Sequence, residues 1–292
     1  ISAQLEPKDE LAASPNPFIR HDRRLAWAAA AAARGMTDSA RTSLVSEFDD
    51  AVRAVDGVGF VTTPFERSEV LSDELGFGAQ GGVWAKDETR SVGGSQKARH
   101  LFTVMLHLRA LELLGQMSVR PPLAIASCGN AALAAATLAR AAEWPIDVYV
   151  PTWMNDGFGD RLDALRANVH RCERRSTDPP GDPAMLRFRE AVEVGAVPFT
   201  VQGPENALCL DGGRTIGWEL AEQIPTSGGP GQLDAMFVQV GGGAFAACLG
   251  AGLAEMGQDV RLMAVQAAGC APLDRAWRLG ANAASDWNTV MP

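Results

Sequence analysis

Most of what marks a specialised protein is missing from these 292 residues. The five cysteines (Cys128, Cys172, Cys209, Cys248 and Cys270) are odd in number, widely spaced and without a CxxC pair. That excludes a disulfide framework and a structural zinc site, suits a reducing compartment, and sets a cytoplasmic location as the expectation. Histidine is scarce, and two of the four, His100 and His107, stand two helical turns apart, ~10.5 Å along an axis and too far to share a metal. No metal is expected. Positive charge is in deficit: 26 Lys and Arg against 35 Asp and Glu give a net charge of −9. Basic residues cluster only in short runs, at 20–24 and 171–175, so neither nucleic acid nor an anionic membrane is an expected partner. No apolar run approaches the ~20 residues that span a bilayer. The alanine-rich stretch 26–33 reads as a helix of a globular protein, because alanine is the strongest helix former and only a weak hydrophobe. A Gly-x-Ser-x-Gly elbow is absent, and so is a Walker A loop.

What is present describes an α/β chain. Apolar residues at 47% and charged residues at 21% support a sizeable core, and ~150 residues per domain suggests two domains. After a polar arm of about 15 residues, helices are expected from Leu25, over 46–55 (with Ser46, Glu47, Asp49 and Asp50 in its first turn) and through Leu71 and Leu75. Strands are expected at 83–86, 123–126, 146–150, 197–201, 235–240 and 261–266. Helices fall between them, after Ser95, after Asn130, at 161–167, at 215–224, and from the glycines at 241–243 to Met256. A Gly-rich linker occupies 227–231. Such alternation implies right-handed βαβ units and parallel sheets with helices on both faces.

Three strand-to-helix junctions could carry chemistry. At Gly241-Gly242-Gly243 a buried strand opens into a helix start, where backbone N–H groups and the helix dipole suit an anion. With Ala244, Phe245 and Ala246 the segment also satisfies GxGxxA, the dinucleotide fingerprint. That fingerprint wants an acid after the next strand, where Gln266, Ala267 and Ala268 stand, so a site for a single phosphate is favoured. At Gly93-Gly94-Ser95-Gln96-Lys97 a lysine sits at a helix start, where the positive helix end disfavours an ammonium. A neutral amine is what a Schiff-base lysine requires. At Ser127-Cys128-Gly129-Asn130 a hydroxyl, a glycine and backbone amides suit capture of a carboxylate, or an N-cap for the alanine-rich helix.

Taken in order and spacing, these segments resemble the fold-type II pyridoxal-phosphate enzymes, the tryptophan synthase β, threonine synthase and serine/threonine dehydratase family. The resemblance runs from about Phe60 to Ala271. It is carried by Thr63-Pro64, Val83-Trp84-Ala85-Lys86-Asp87-Glu88, Gly94-Ser95-Gln96-Lys97-Ala98-Arg99, Ser127 to Asn130, Gly212-Gly213-Arg214-Thr215-Ile216-Gly217-Trp218-Glu219 and Gly241 to Gly243. It implies two open parallel-sheet domains with pyridoxal 5′-phosphate in the cleft between them, 1–91 with 204–292 forming the larger and 92–203 the smaller. It further implies that Lys97 forms the Schiff base, that Gly241, Gly242, Gly243 and Ala244 cradle the phosphate, and that Asn130 bonds the 3′ oxygen. Ser127, Cys128 and Gly129 are then expected to hold the α-carboxylate of a small amino-acid substrate, in a homodimer that eliminates or replaces a β or γ substituent. Three positions depart from the family pattern: Gln96 where an aromatic is usual, Cys128 where serine, threonine or alanine is usual, and Gln266 where glutamate often stands. Family members also continue well beyond the phosphate turn, so the sequence is expected to lack a C-terminal part, and no partner for the pyridine nitrogen is assigned. A cofactor-binding protein with lost or repurposed catalysis, and a nucleotide-binding α/β protein using the GxGxxA turn, are the alternative readings.

Overall fold

The computed structural model describes residues 13–78, 81–226 and 229–284. Most of the expected N-terminal arm, and residues 227 and 228 of the linker, lie outside the described residues. The chain opens with α1 (Pro17–Arg20), α2 (Ala26–Ala32) and α3 (Asp38–Asp56). The alanine-rich stretch is indeed a short packed helix, burying Trp27, Ala28 and Ala31. α3 starts eight residues before the expected Ser46, because Thr37 accepts from the Ala40 N–H and supplies the cap there. Asp49 is therefore not a first-turn acid; it is buried and accepts from the Phe60 N–H at 2.7 Å.

β1 (Phe65–Ser68) and β2 (Val83–Lys86) pair antiparallel around α4 (Glu69–Glu74), with Phe65 opposite Lys86. β1 was not expected, since Glu66 and Arg67 break any apolar pattern. α5 (Lys97–Leu113) then leads to a four-stranded parallel sheet. Its strands are β3 (Leu123–Ala126), β4 (Ile146–Pro151), β5 (Asn168–Cys172) and β6 (Val197–Pro198), in spatial order β5-β4-β3-β6. The connecting helices are α6 (Asn130–Ala141), α7 (Asp156–Ala164) and α8 (Pro183–Glu193). Two of these elements escape sequence periodicity for the same reason. β5 is an edge strand, and its His170 and Arg171 are tolerated where one side of the ladder is free. α8 covers that sheet's outer face and needs only Ala184, Arg187 and Phe188 buried, although Asp182 capping and Pro183 at the first position mark its start.

α9 (Leu208–Gln223) is followed by β7 (Ala235–Gln239), α10 (Ala244–Glu255), β8 (Arg261–Val265) and α11 (Pro272–Arg278). β7 and β8 pair in parallel, Ala235 opposite Arg261. α9 begins seven residues before the expected Thr215, running straight through Gly212 and Gly213. The main core joins the N-terminal helices to α5 and α6 through a cluster of Phe18, Phe48, Phe60 and Phe102, with Phe60 and Phe102 ring centres 4.3 Å apart. α6 buries nine of its residues, six of them alanines, which lets helices and sheet close on it from all sides. A second core under β7 collects Ile216, Leu220, Val238, Leu249 and Leu253.

Candidate active site

Three helix starts meet at one cavity of about 640 Å³. Gln96 and Lys97 come from the start of α5, Ala126, Ser127 and Asn130 from the β3–α6 junction, and Gly241 to Phe245 from the entry to α10. The segment Thr200 to Pro204, which follows β6, completes the wall. That wall was not foreseen: its residues form no motif, and only the pairing of β6 beside β3 brings them to the cavity. Of the expected site residues, Lys97, Ser127, Asn130, Gly241, Gly242, Gly243 and Ala244 are brought together. Cys128 and Gly129 are not among the lining residues; the Cys128 side lies against a neighbouring cavity.

The chain has three lysines, and two, Lys86 and Lys97, are described. Their surroundings separate their roles. The Lys86 ammonium donates to the Thr63 carbonyl at 2.8 Å, to Glu219 Oε2 at 2.7 Å and to Gln223 Oε1 at 2.8 Å, so its three protons are used. Lys97 forms no ion pair with any described carboxylate. Burial is the chief cause that lowers its pKa, rather than the helix end that the sequence suggested, and only the thiols of Cys209 and Cys248 oppose it. Burial in turn raises those thiols to about 12 and about 11, so at neutral pH they carry no charge to hold an ammonium. Lys97 is thus the lysine whose neutral amine the structure favours.

α5 is fixed two residues on. The Arg99 guanidinium is fully buried and donates to Glu219 Oε1 at 2.6 Å, Glu88 Oε2 at 2.9 Å, Thr215 Oγ1 at 3.2 Å and Thr63 Oγ1 at 3.3 Å. Thr63 in turn bonds Glu88. The Glu219 pKa is lowered: burial alone would raise it, and the attraction of Arg99 and Lys86 outweighs that. Thr63, Lys86, Glu88, Arg99 and Glu219, scattered over the quoted motifs, therefore form one buried network that anchors the Lys97 helix.

The turn before α10 has the shape of an anion cradle. Gly243 has φ +86°, the left-handed region, and a Cβ built on Gly241, Gly242 or Gly243 would meet no protein atom within 4 Å. Glycine there leaves open room in front of the amides at the start of a 12-residue helix. Behind the turn, Gln266 donates to the Val240 carbonyl at 3.2 Å and accepts from the Leu273 and Asp274 N–H groups at 2.9 and 3.3 Å. It ties the root of the turn to α11, and the position where a nucleotide fold would place a ribose acid holds a structural amide. A dianionic phosphate with an aldehyde to meet an amine fits these residues: an open cradle on one wall, and on another a lysine whose pKa burial lowers.

An open parallel α/β architecture with a half-buried lysine and a glycine turn on one cavity is the arrangement of the fold-type II class. The chain matches the family model for pyridoxal-phosphate dependent enzymes over residues 58–291, and it belongs to that family. Solved structures share the fold. Processed threonine deaminase isoform 2 from Solanum lycopersicum aligns with a TM-score of 0.60 at 21% identity, covering 84% of this chain and 61% of that one. Maize serine racemase aligns with a TM-score of 0.63 at 17% identity, covering 82% and 66%. An L-serine ammonia-lyase from the fungus Rhizomucor miehei aligns with a TM-score of 0.57 at 21% identity, covering 76% and 64%. The chain therefore spans less than two thirds of the length of each of these three. Comparison with curated proteins gives no match. Among the described residues, no helix is long and apolar enough to cross a membrane.

Proposed function

We propose that the protein is a pyridoxal-phosphate dependent lyase or synthase that eliminates or replaces a substituent on the β or γ carbon of an amino acid. One observation carries the reading: Lys97, half-buried and without a carboxylate partner among the described residues, shares a cavity with the open Gly241-Gly242-Gly243 turn. Lys97 would hold the aldehyde carbon, the N–H groups of Gly241, Gly242, Gly243 and Ala244 the phosphate, and Asn130 the 3′ oxygen. When bound, the cofactor supplies an electron sink for charge that develops at the substrate Cα.

The chain's own groups do the rest. The α10 start offers N–H donors and a positive dipole end to the phosphate. Ser127, Asn130 and Ala131 line the cavity at the start of α6, so a substrate carboxylate docks against the Ser127 hydroxyl and the first N–H groups of that helix, while Gly129 shapes the junction by donating its N–H to Ser127 Oγ at 3.4 Å. The Lys97 amine, whose pKa burial lowers from its ordinary value, is the base for the Cα proton. In this reading 92–203 is the smaller domain, 1–91 with 204–292 the larger, and the working form is a cytoplasmic homodimer. Borohydride treatment of the loaded protein should leave the reduced cofactor on Lys97. Peptide mapping that finds it on Lys86, or on no lysine, overturns the assignment. Lys97→Ala should still load through the phosphate turn and lose turnover.

A further inference from the structure

A second cavity, about 650 Å³, opens at the carboxyl ends of β3, β4 and β5, and shares Ala126 and Ser127 with the cavity that holds Lys97. We propose that it receives the distal part of the substrate, and that this part is a neutral planar group, an aromatic or heteroaromatic side chain. The proposal rests on the reading of Lys97 as the cofactor lysine.

Position comes first. Crevices outside the carboxyl ends of parallel strands are where open α/β sheets take ligands. A substrate whose carboxylate lies at Ser127 has its far end within reach of either cavity, because Ser127 belongs to both walls. The walls themselves point to a ring. Tyr149, the chain's single tyrosine, lines the cavity, and its hydroxyl bonds no described residue. Its ring is held by stacking on His170, centroids 4.8 Å apart at 14°, and His170 is fixed by Asp147 at 2.7 Å. Trp153 stands on the same cavity 76% exposed, a large apolar surface with little cover.

Charge excludes an anion. Glu173 lines the cavity and pairs with no described cation, and Asp182 caps α8 by accepting from the Ala184 N–H at 2.9 Å. The one cation, Arg174, is turned to its own loop, donating to the Pro179 and Gly181 carbonyls. At about 650 Å³ the cavity has room for a ring and is far larger than the hydroxymethyl of serine. Cys128, the departure from the family pattern, acquires a place here: it lines this cavity with a free, half-buried thiol, and a polarisable sulfur suits a ring.

Indole is the probe and benzoate its anionic counterpart. In cofactor-free protein, indole should slow alkylation of Cys128, followed by peptide mapping to separate it from Cys270, and benzoate should not. Trp153→Ala, at an exposed position, should weaken indole binding at least ~10-fold, about 1.4 kcal/mol. In the loaded enzyme, β-phenylserine should perturb the cofactor absorbance at lower concentration than serine. Trp153→Ala should weaken the β-phenylserine response at least ~10-fold more than the serine response. Absence of Cys128 protection, or equal indole affinity in Trp153→Ala, overturns the proposal while leaving the borohydride label on Lys97 intact. A missing label on Lys97 with indole binding preserved overturns the substrate role through the cofactor reading instead, so the two failures are told apart.

Discussion

Gly212, Gly213 and Gly217 lie inside α9, and Gly241, Gly242 and Gly243 lie at the entry to α10; the two triplets are glycine for opposite reasons. A Cβ on Gly212 would fall 2.0 Å from the Arg99 carbonyl oxygen, and one on Gly213 2.3 Å from His100 Cε1. On Gly217 it would sit 2.7 Å from the Leu249 carbonyl oxygen, where α10 answers with Gly252. These glycines let α9 pack tightly against α5 and α10, which outweighs the helix propensity they forfeit. At Gly241 to Gly243 nothing of the protein occupies the space. The first triplet is specified by the fold; the second leaves open the space that the proposed phosphate site requires. A glycine motif is thus read by what its missing side chain would touch.

The largest effect expected from this contrast is on Gly212→Ala. Its Cβ meets backbone, which cannot swing aside, so α5 and α9 must separate and the Arg99 network must open. Overpacking commonly costs ~1–3 kcal/mol, and a backbone clash of this depth belongs at or above the top of that range. Thermal unfolding of the cofactor-free protein should show a large loss, and cofactor binding should fail with the fold. Gly242→Asp should do the reverse. Its φ is not in the left-handed region and its Cβ meets nothing, so unfolding of the cofactor-free protein should change by less than ~0.5 kcal/mol. Cofactor affinity should fall steeply, because two like charges ~4 Å apart cost several kcal/mol at an effective ε of ~20. A Gly242→Asp protein that loads normally ends the phosphate assignment. One that gains or loses nicotinamide-nucleotide binding instead favours the dinucleotide reading of the turn.

The same contrast shows how far sequence reaches. The site was legible where chemistry forces a local pattern: a lysine at a helix start, a glycine turn after a buried strand, a hydroxyl-glycine-amide junction. Each leaves its mark within six or so consecutive residues. What could not be read depends on partners distant in sequence. Arg99 and Glu219 look like any two helical charges until the packing of α5 on α9 joins them. The helix was expected only from Thr215, because the close approach that lets α9 keep Gly212 and Gly213 is set by Arg99 and His100, more than a hundred positions away. β1 and β5 carry polar edges because one side of each ladder is free, so alternation fails there.

A smaller effect concerns the ring that Gly213 accommodates. His100 is buried, and its Nδ1 lies 2.8 Å from the Cys209 carbonyl. A carbonyl only accepts, so Nδ1 carries the proton; Nε2 has no partner. Burial lowers its pKa from 6.5 to about 4, with Lys97 and Arg99 adding to the effect and the Cys209 bond opposing it. The folded value is below the unfolded one, so the unfolded chain binds the extra proton between them. The contribution is whole above about pH 6.5 and is lost as pH falls through about 4. His21, lowered to about 3 by burial, acts in the same direction. Denaturant unfolding should therefore show stability falling with acid from pH 6.5, by at most ~1.4 kcal/mol per pH unit for each histidine. His100→Asn should make that slope shallower; an unchanged slope would show that His100 does not titrate on unfolding.

The smallest effect is expected at the root of the open triplet, where Gln266 stands in place of the glutamate common in the family. Its amide nitrogen donates to the Val240 carbonyl, one residue before the glycines, and its oxygen accepts from two N–H groups at the start of α11. Glutamate would keep the second contact and lose the first, because a carboxylate cannot donate to a carbonyl. One part-buried hydrogen bond is worth ~0.5–1.5 kcal/mol, so Gln266→Glu should lower stability by about 1 kcal/mol. It also sets a negative charge behind the phosphate turn, yet on the far side of Val240 from the cradle. Cofactor affinity should then drop by less than ~10-fold, under 1.4 kcal/mol, against the near-complete loss for Gly242→Asp. Equilibrium titration of both variants with pyridoxal phosphate makes the comparison. If Gln266→Glu loses the cofactor as completely as Gly242→Asp, then Gln266 faces the phosphate itself, and the space in front of the three glycines is not where that group lies.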